Sequence, residues 1–285
     1  MSKLSQPLKA LINSPHARPD TIPAPAQIKS VYEKIARDAS SKDIALSTWL
    51  SLTTAATMTM NSPESLLQLH GIVSRLHASE SVYAAELMRE VGVKCIGFNG
   101  IPRSINCLNA FYAGLPSDVK KNLSTVPTRS LTPDNVSGVL DRGQGLWKSI
   151  YAPLDEKLRN KLAQSHPDLA VHIIECGYGS LFSDNPSTRK PAQVGRVLTS
   201  IVAVSCLRAQ TGTGPQVVSH VFGLRKAFQD QNAQLEKDEY IKGAQWLATD
   251  EGSIWMLEIV DSIVQVIGEG KGTTFAPGLG RESKL

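Results

Sequence analysis

The chain has 285 residues, 41% apolar and 20% charged, with 30 basic against 26 acidic side chains and a formal charge of +4. This composition supports a substantial hydrophobic core, in one large domain or two of ordinary size. Lysines and arginines are dispersed without interleaved aromatics, which excludes a nucleic-acid footprint. The longest strongly apolar stretch, Val197 to Leu207, stops at Arg208, short of the roughly 18 residues a membrane helix needs, so no membrane partner is expected.

The first 25 residues contain Pro7, Pro15, Pro19, Pro23 and Pro25, which break any long helix and leave a flexible arm. Lys3, Lys9 and Arg18 precede the first acid, Asp20, and Leu4, Leu8, Leu11 and Ile12 recur at helical spacing. The alternative reading of the arm is therefore a short amphipathic mitochondrial presequence. From Ala26 onward the apolar period is helical and no alternating strand pattern appears, so an all-α fold is expected.

Helices are predicted over 28–39, 44–58, 63–76, 81–96 and 102–113 in a first half spanning 26–115. A polar, turn-rich segment, 116–131, joins it to a second half, 132–268, with helices over 133–150, 154–165, 167–176, 193–210, 215–229, 239–248 and 253–267. Between Arg196 and Arg208 nearly every side of the helix is apolar or small, which predicts a helix buried all round. In the last helix Ile254, Leu257, Val260, Ile263, Val264 and Ile267 oppose a stripe of Glu258, Asp261, Ser262 and Gln265. The glycine-rich stretch 269–285 reads as a flexible tail. It closes on Ser283-Lys284-Leu285, which reads as an address for the peroxisomal import receptor. The peroxisomal matrix is thus the expected location and the mitochondrion the alternative.

Four cysteines, Cys95, Cys107, Cys176 and Cys206, lie far apart without a C-x-x-C pair; they read as reduced thiols, with no zinc or vicinal dithiol spacing. His70 and His77 share a helix face without a third ligand nearby in sequence, so no metal site is expected.

The stretches GFNGIPRSINCLNAF, from Gly97, and TGTGPQVVSHVFGLRKAF, from Thr211, each place glycine ahead of a proline that opens a helix. Counted from Pro102 and Pro215, Cys107 and His220 fall at one offset. At these residues the sequence resembles the carboxymuconolactone decarboxylase and alkylhydroperoxidase D-like superfamily. FNGIPRSINCLNAF resembles the family's Y-x-G-x-P-x-x-x-N-A helix start, and Arg196 with its helix, then His220, resembles its R-E-L … H-x-x-x-A-x-x-x-G pattern. The resemblance covers about 61–228. It implies two related all-α halves, assembly as a homo-oligomer, and a site at a helix junction or subunit interface. The chemistry it implies is cofactor-free and acid-base in type, decarboxylase-like, on a small carboxylic acid or lactone.

The sequence departs from the family's peroxidases, which carry E-x(11)-C-x-x-C-x(3)-H. With His220 as the final histidine, the two cysteine places hold Thr213 and Gln216, and in the first half Gly100 and Arg103. None of these forms a thiolate, so that dithiol chemistry is missing from its slot.

His220 is the first candidate for proton transfer, because imidazole ordinarily titrates near neutrality; the alternative is a hydrogen-bonded core histidine. Arg196 and Arg208, about three turns apart, could hold a substrate carboxylate or form ion pairs at helix ends. Cys107 is either a lone reactive thiol or a small buried side chain. Glu86 and Glu90 share a helix face, Glu90 as a substrate-binding or proton-transfer group or both as a solvated edge. Arg103, at a helix start, could meet an anion. Two other readings stand beside the enzyme: a non-catalytic binding or assembly protein on the same scaffold, and a peroxidase using Cys107 with a second thiol in disulfide reach.

Overall fold

A computed structural model describes residues 4–184, 192–229, 241–273 and 275. Among these residues every regular element is helical, so the fold is all-α, and no helix is long and apolar enough to cross a membrane. In chain order the helices are α1 (Gln6–Ile12), α2 (Ile28–Ser41), α3 (Leu46–Thr59), α4 (Pro63–Leu76), α5 (Ser81–Lys94), α6 (Ile96–Asn99), α7 (Ile101–Gly114) and α8 (Ser117–Lys121). They continue as α9 (Val136–Tyr151), α10 (Asp155–Ser165), α11 (Pro167–Val171), a π-helix (His172–Phe182), α12 (Arg196–Gln210), α13 (Gly214–Gln229), α14 (Ala244–Leu247) and α15 (Asp250–Ile267).

The centre is α12 packed on α3. Every residue from Val197 to Leu207 is buried, as the unbroken apolar and small composition predicts. In α3 the threonines are buried too, and each of Thr53, Thr57 and Thr59 returns its hydroxyl to the carbonyl four residues back (2.7–2.8 Å), which satisfies the polar atom without an outside partner. Around this pair lie α2, whose Ile28, Tyr32, Ile35, Ala36 and Ala39 form one helical stripe, and α4, α5 and α15. The main core draws on both 26–115 and 132–268.

In α15 the buried line is Met256, Ile259, Val260, Ile263 and Ile267, while Ile254 is 55% exposed. The predicted stripe was therefore rotated, because Met256 and Ile259 carry more of the buried surface than Ile254.

A second, smaller cluster of Trp147, Ile150, Ile174, Tyr178 and Phe182 joins α9 to the π-helix. The helix predicted to end at Cys176 instead continues to Phe182, wound as a π-helix. Gly143 and Gly179 let the two elements touch at the backbone: a Cβ on Gly143 would meet the Gly179 Cα at 2.7 Å. Lys94, fully buried at the end of α5, binds the segments that follow. Its ammonium donates to the carbonyls of Phe182 (2.7 Å) and Val194, to Thr199 Oγ1 (3.0 Å) and to Asp184.

At both ends the described residues next to the body are tied to it. The arm is anchored before residue 25: Ile22 N donates to Asn61 O and Ala24 N to Glu64 Oε2, each at 3.0 Å. The start of the tail also packs. Gly270 and Gly272 adopt positive φ (72° and 78°), a conformation nearly free of penalty for glycine, and this turns the chain back so that Thr273 is buried. The Phe275 ring then lies 3.7 Å from the Arg103 guanidinium. Ser283, Lys284 and Leu285 lie outside the described residues.

Candidate functional site

His220 sits on α13, just beyond a turn in which Thr211 and Gly212 have positive φ (66° and 72°). The turn before α7 also holds a positive φ, at Gly100 (80°), but counted from the two prolines that residue corresponds to Thr213 and not to Thr211 or Gly212; Cys107 and His220 both face inward. His220 is only 5% exposed. Its ring meets Phe98 and Tyr151 edge to face at 6.0 Å. Nε2 lies 3.4 Å from the Tyr151 hydroxyl, which is 2.9 Å from that of Tyr178. Nδ1 has no hydrogen-bond partner among the described residues. Burial, and secondarily the charge of Arg196, push the imidazole pKa down to about 4, so the ring is neutral at pH 7. A base this weak is poorly matched to proton abstraction near neutrality.

Arg196 does stand beside His220, but its guanidinium is committed to the scaffold. Nε donates to Ser149 Oγ (3.1 Å), Nη1 to Ser200 Oγ (3.2 Å), and Nη2 to the carbonyls of Ser149 (2.9 Å) and Gly223 (2.7 Å). It thus clamps α9 and α13 onto the start of α12. Gly223 is required there, since a Cβ would meet Ile150 Cγ2 at 2.8 Å.

The other sequence candidates do not converge on His220. Arg208 forms a two-pronged pair with Asp261 at the surface (2.8 and 2.6 Å), tying α12 to α15. Arg103 donates to Thr59 O at 2.6 Å while stacking on Phe275, so its charge serves packing around the helix start. Cys107 is fully buried, and desolvation pushes its thiol up to about 12, which withholds the thiolate a peroxidase needs.

Glu90 stands in a cleft of its own and is largely shielded, not part of a solvated edge. With Glu86 it forms part of the wall of a cleft of about 600 Å³ between α5, α7 and the segment 124–130. Glu86 is buried, accepting the Ser124 amide and pairing with Arg89 Nη1 at 3.0 Å. Glu90 accepts both terminal nitrogens of Arg129, one at 3.0 Å, and Arg129 Nε donates to Leu181 O. These two pairs hold the supposed linker against α5.

Arg89 is the cationic group with capacity to spare. Its terminal nitrogens reach Glu86 and Ser124 O (3.3 Å), its Nε makes no hydrogen bond among the described residues, and its side chain is 32% exposed. Leu108, Tyr112, Val126 and Pro127 supply an apolar lining. A partly desolvated guanidinium beside an apolar wall suits a carboxylate on a hydrocarbon or aromatic body.

No protein-family model, curated protein or solved structure matches this chain.

Arg89, Arg129 and Tyr112 were not singled out from sequence. The available signal was the Glu86, Arg89, Glu90 spacing on one face of α5; its partner, the 124–130 segment, resembles any polar loop.

Proposed function

We propose that this chain binds a small carboxylic acid in the cleft between α5, α7 and the 124–130 segment, and that its His220 cluster is structural. The observation that carries this reading is the contrast between the two places. Around His220 and Arg196 the rings close off the imidazole and hydroxyls and carbonyls take up the guanidinium. Arg89 lines a cleft large enough for a small molecule and is 32% exposed there. The ligand carboxylate accepts from Arg89, its body lies along Leu108 and Tyr112, and the Glu90–Arg129 pair fixes the far wall.

The test is a calorimetric titration of the full chain with a panel of aliphatic and aromatic monocarboxylates and their neutral amides. The acids bind and the amides bind at least about tenfold more weakly, as the loss of one charge-assisted contact implies. Arg89→Gln abolishes the preference; His220→Gln leaves it unchanged. Binding of acid and amide alike, or loss of acid binding in the His220 variant alone, overturns the reading.

A second reading keeps the decarboxylase-like enzyme with His220 as the proton-transfer group. It is favoured by one observation, the unpartnered Nδ1 at the end of the Tyr178–Tyr151–His220 hydrogen-bond chain. The alkylhydroperoxidase D-like ancestry and its two related halves belong to the proposal as well, supported by the inward placement of Cys107 and His220 at one offset from Pro102 and Pro215; a homo-oligomeric assembly is what that ancestry implies. Ser283-Lys284-Leu285 supports residence in the peroxisomal matrix.

A further inference from the structure

Cys95, at the end of α5, and Cys206, in the central stretch of α12, are 111 residues apart in sequence, yet their sulfurs lie 3.5 Å from one another. Both side chains are fully buried. Cys206 Sγ also faces Ala55 O at 3.8 Å. Cys107 is turned elsewhere, toward Met58 O (4.0 Å) and Asn61 Oδ1 (3.9 Å), and Cys176 is exposed. A separation of 3.5 Å is van der Waals contact between thiols; rotation about the two Cα–Cβ bonds must close it to the ~2.05 Å of a covalent bond.

We propose that Cys95 and Cys206 form a latent, reversible disulfide, made when a hydroperoxide reaches the pair during local opening of the core. Burial pushes the Cys95 thiol well up, so the closed protein is unreactive and opening gates the reaction. One thiol loses its proton to water and its sulfur attacks the peroxide O–O bond. A sulfenic acid forms and the departing alkoxide leaves, protonated, as an alcohol, or as water when the oxidant is hydrogen peroxide. The second sulfur then attacks the sulfenic sulfur; the S–S bond forms and the hydroxyl leaves with the second thiol's proton as water. Two thiols are oxidised by two electrons in all, and the peroxide is reduced by the same two.

The bond ties the end of α5, which carries the cleft wall, to the central helix. It also closes a loop long enough to restrict the unfolded chain strongly. This inference is independent of what the cleft binds.

The experiment treats the full chain with hydrogen peroxide, with and without a urea concentration below the unfolding transition. Free thiols are then blocked under denaturing conditions, and the intact mass and peptide map are recorded. The expected product carries two blocking groups fewer than the untreated, blocked protein and is about 2 Da lighter again through the two lost hydrogens, one disulfide having formed. It contains a linked peptide joining Cys95 to Cys206, reverts with dithiothreitol, forms faster in urea, and unfolds at least about 5 °C higher. Cys107→Ala still forms the bond and Cys206→Ser does not; the wild-type peptide map decides the matter if the latter fails to fold. Oxidation confined to Cys107 or Cys176, over-oxidation of Cys95 without the linked peptide, or no change in mass even in urea overturns the proposal.

Discussion

At the scale of a residue, His220 shows how burial changes what a side chain can do. The ordinary imidazole value of 6.5 falls to about 4 in the folded protein, because the charged ring would lose water and face Arg196 without a carboxylate to offset either cost. The unfolded chain therefore binds the proton more readily than the folded one, and stability rises with pH between about 4 and 6.5. The contribution of His220 is fully present above pH 6.5 and is lost as the pH falls through about 4, by up to roughly 3 kcal/mol for a shift of this size. Comparing urea unfolding of the wild type and His220→Gln at pH 7 and pH 4.5 isolates that slope. The wild type should lose more stability than the variant over this interval, and equal losses would place the ring in contact with solvent.

Residue type alone does not choose between the two readings of this position, because a histidine in a helix looks the same whether its ring meets water or Phe98 and Tyr151. Cys95 and Cys206 show a different limit: no local pattern reports that two core positions 111 residues apart share one contact. Arg103 and Arg208 illustrate a third case. Both were visible as helix-end cations, and the structure assigns each to a partner, Phe275 and Asp261, that sequence spacing could not select.

At the scale of an element, what was legible followed from periodicity. The buried α12 needs no outside information, since a helix apolar or small on every side has nowhere to go except the centre. The π-helix was not legible, because 3.6-residue spacing says nothing about a wider turn and Gly177 and Gly179 read as a helix end. What holds it in place is close backbone approach to α9. On Gly143 a Cβ would lie 2.7 Å from Gly179 N and 2.8 Å from Ile174 O, backbone atoms that cannot swing aside, whereas at Gly145 on the same helix nothing lies within 4 Å. Gly143→Ala should therefore destabilise by about 1–3 kcal/mol through forced separation of the two elements. Gly145→Ala should be neutral or stabilising by up to about 1 kcal/mol through helix propensity. Thermal unfolding of the two variants side by side checks the contrast, and two equal effects would remove the close crossing from the account.

At the scale of the whole molecule, the polar segment after α7 changes meaning once the fold is assembled. Read along the chain it is a connector; in space Ser124, Val126, Pro127 and Arg129 close one side of the cleft. Its place is set by two carboxylate partnerships on α5, Glu86 with the Ser124 amide and Glu90 with Arg129. The site thus exists only where non-local charge pairing brings a loop to a helix, which explains why the helical class was readable in advance and the cleft was not.

The localisation proposal belongs to this scale. A fluorescent protein fused at the amino end of the full chain should collect in peroxisomes, and deletion of Leu285 should send it to the cytosol, as the tripeptide address requires. Unchanged peroxisomal import after the deletion would detach the address from those three residues.

The central claim is that a carboxylate ligand is held at Arg89 while His220 serves packing. The most direct measurement is a crystal structure of the full chain with the tightest-binding acid from the titration panel. We expect the carboxylate within about 2.7–2.9 Å of the Arg89 guanidinium, the separation of a charge-assisted hydrogen bond, with the ligand body against Tyr112 and Leu108. An acid lodged instead beside His220 and Arg196, with Tyr151 displaced to admit it, would contradict the account.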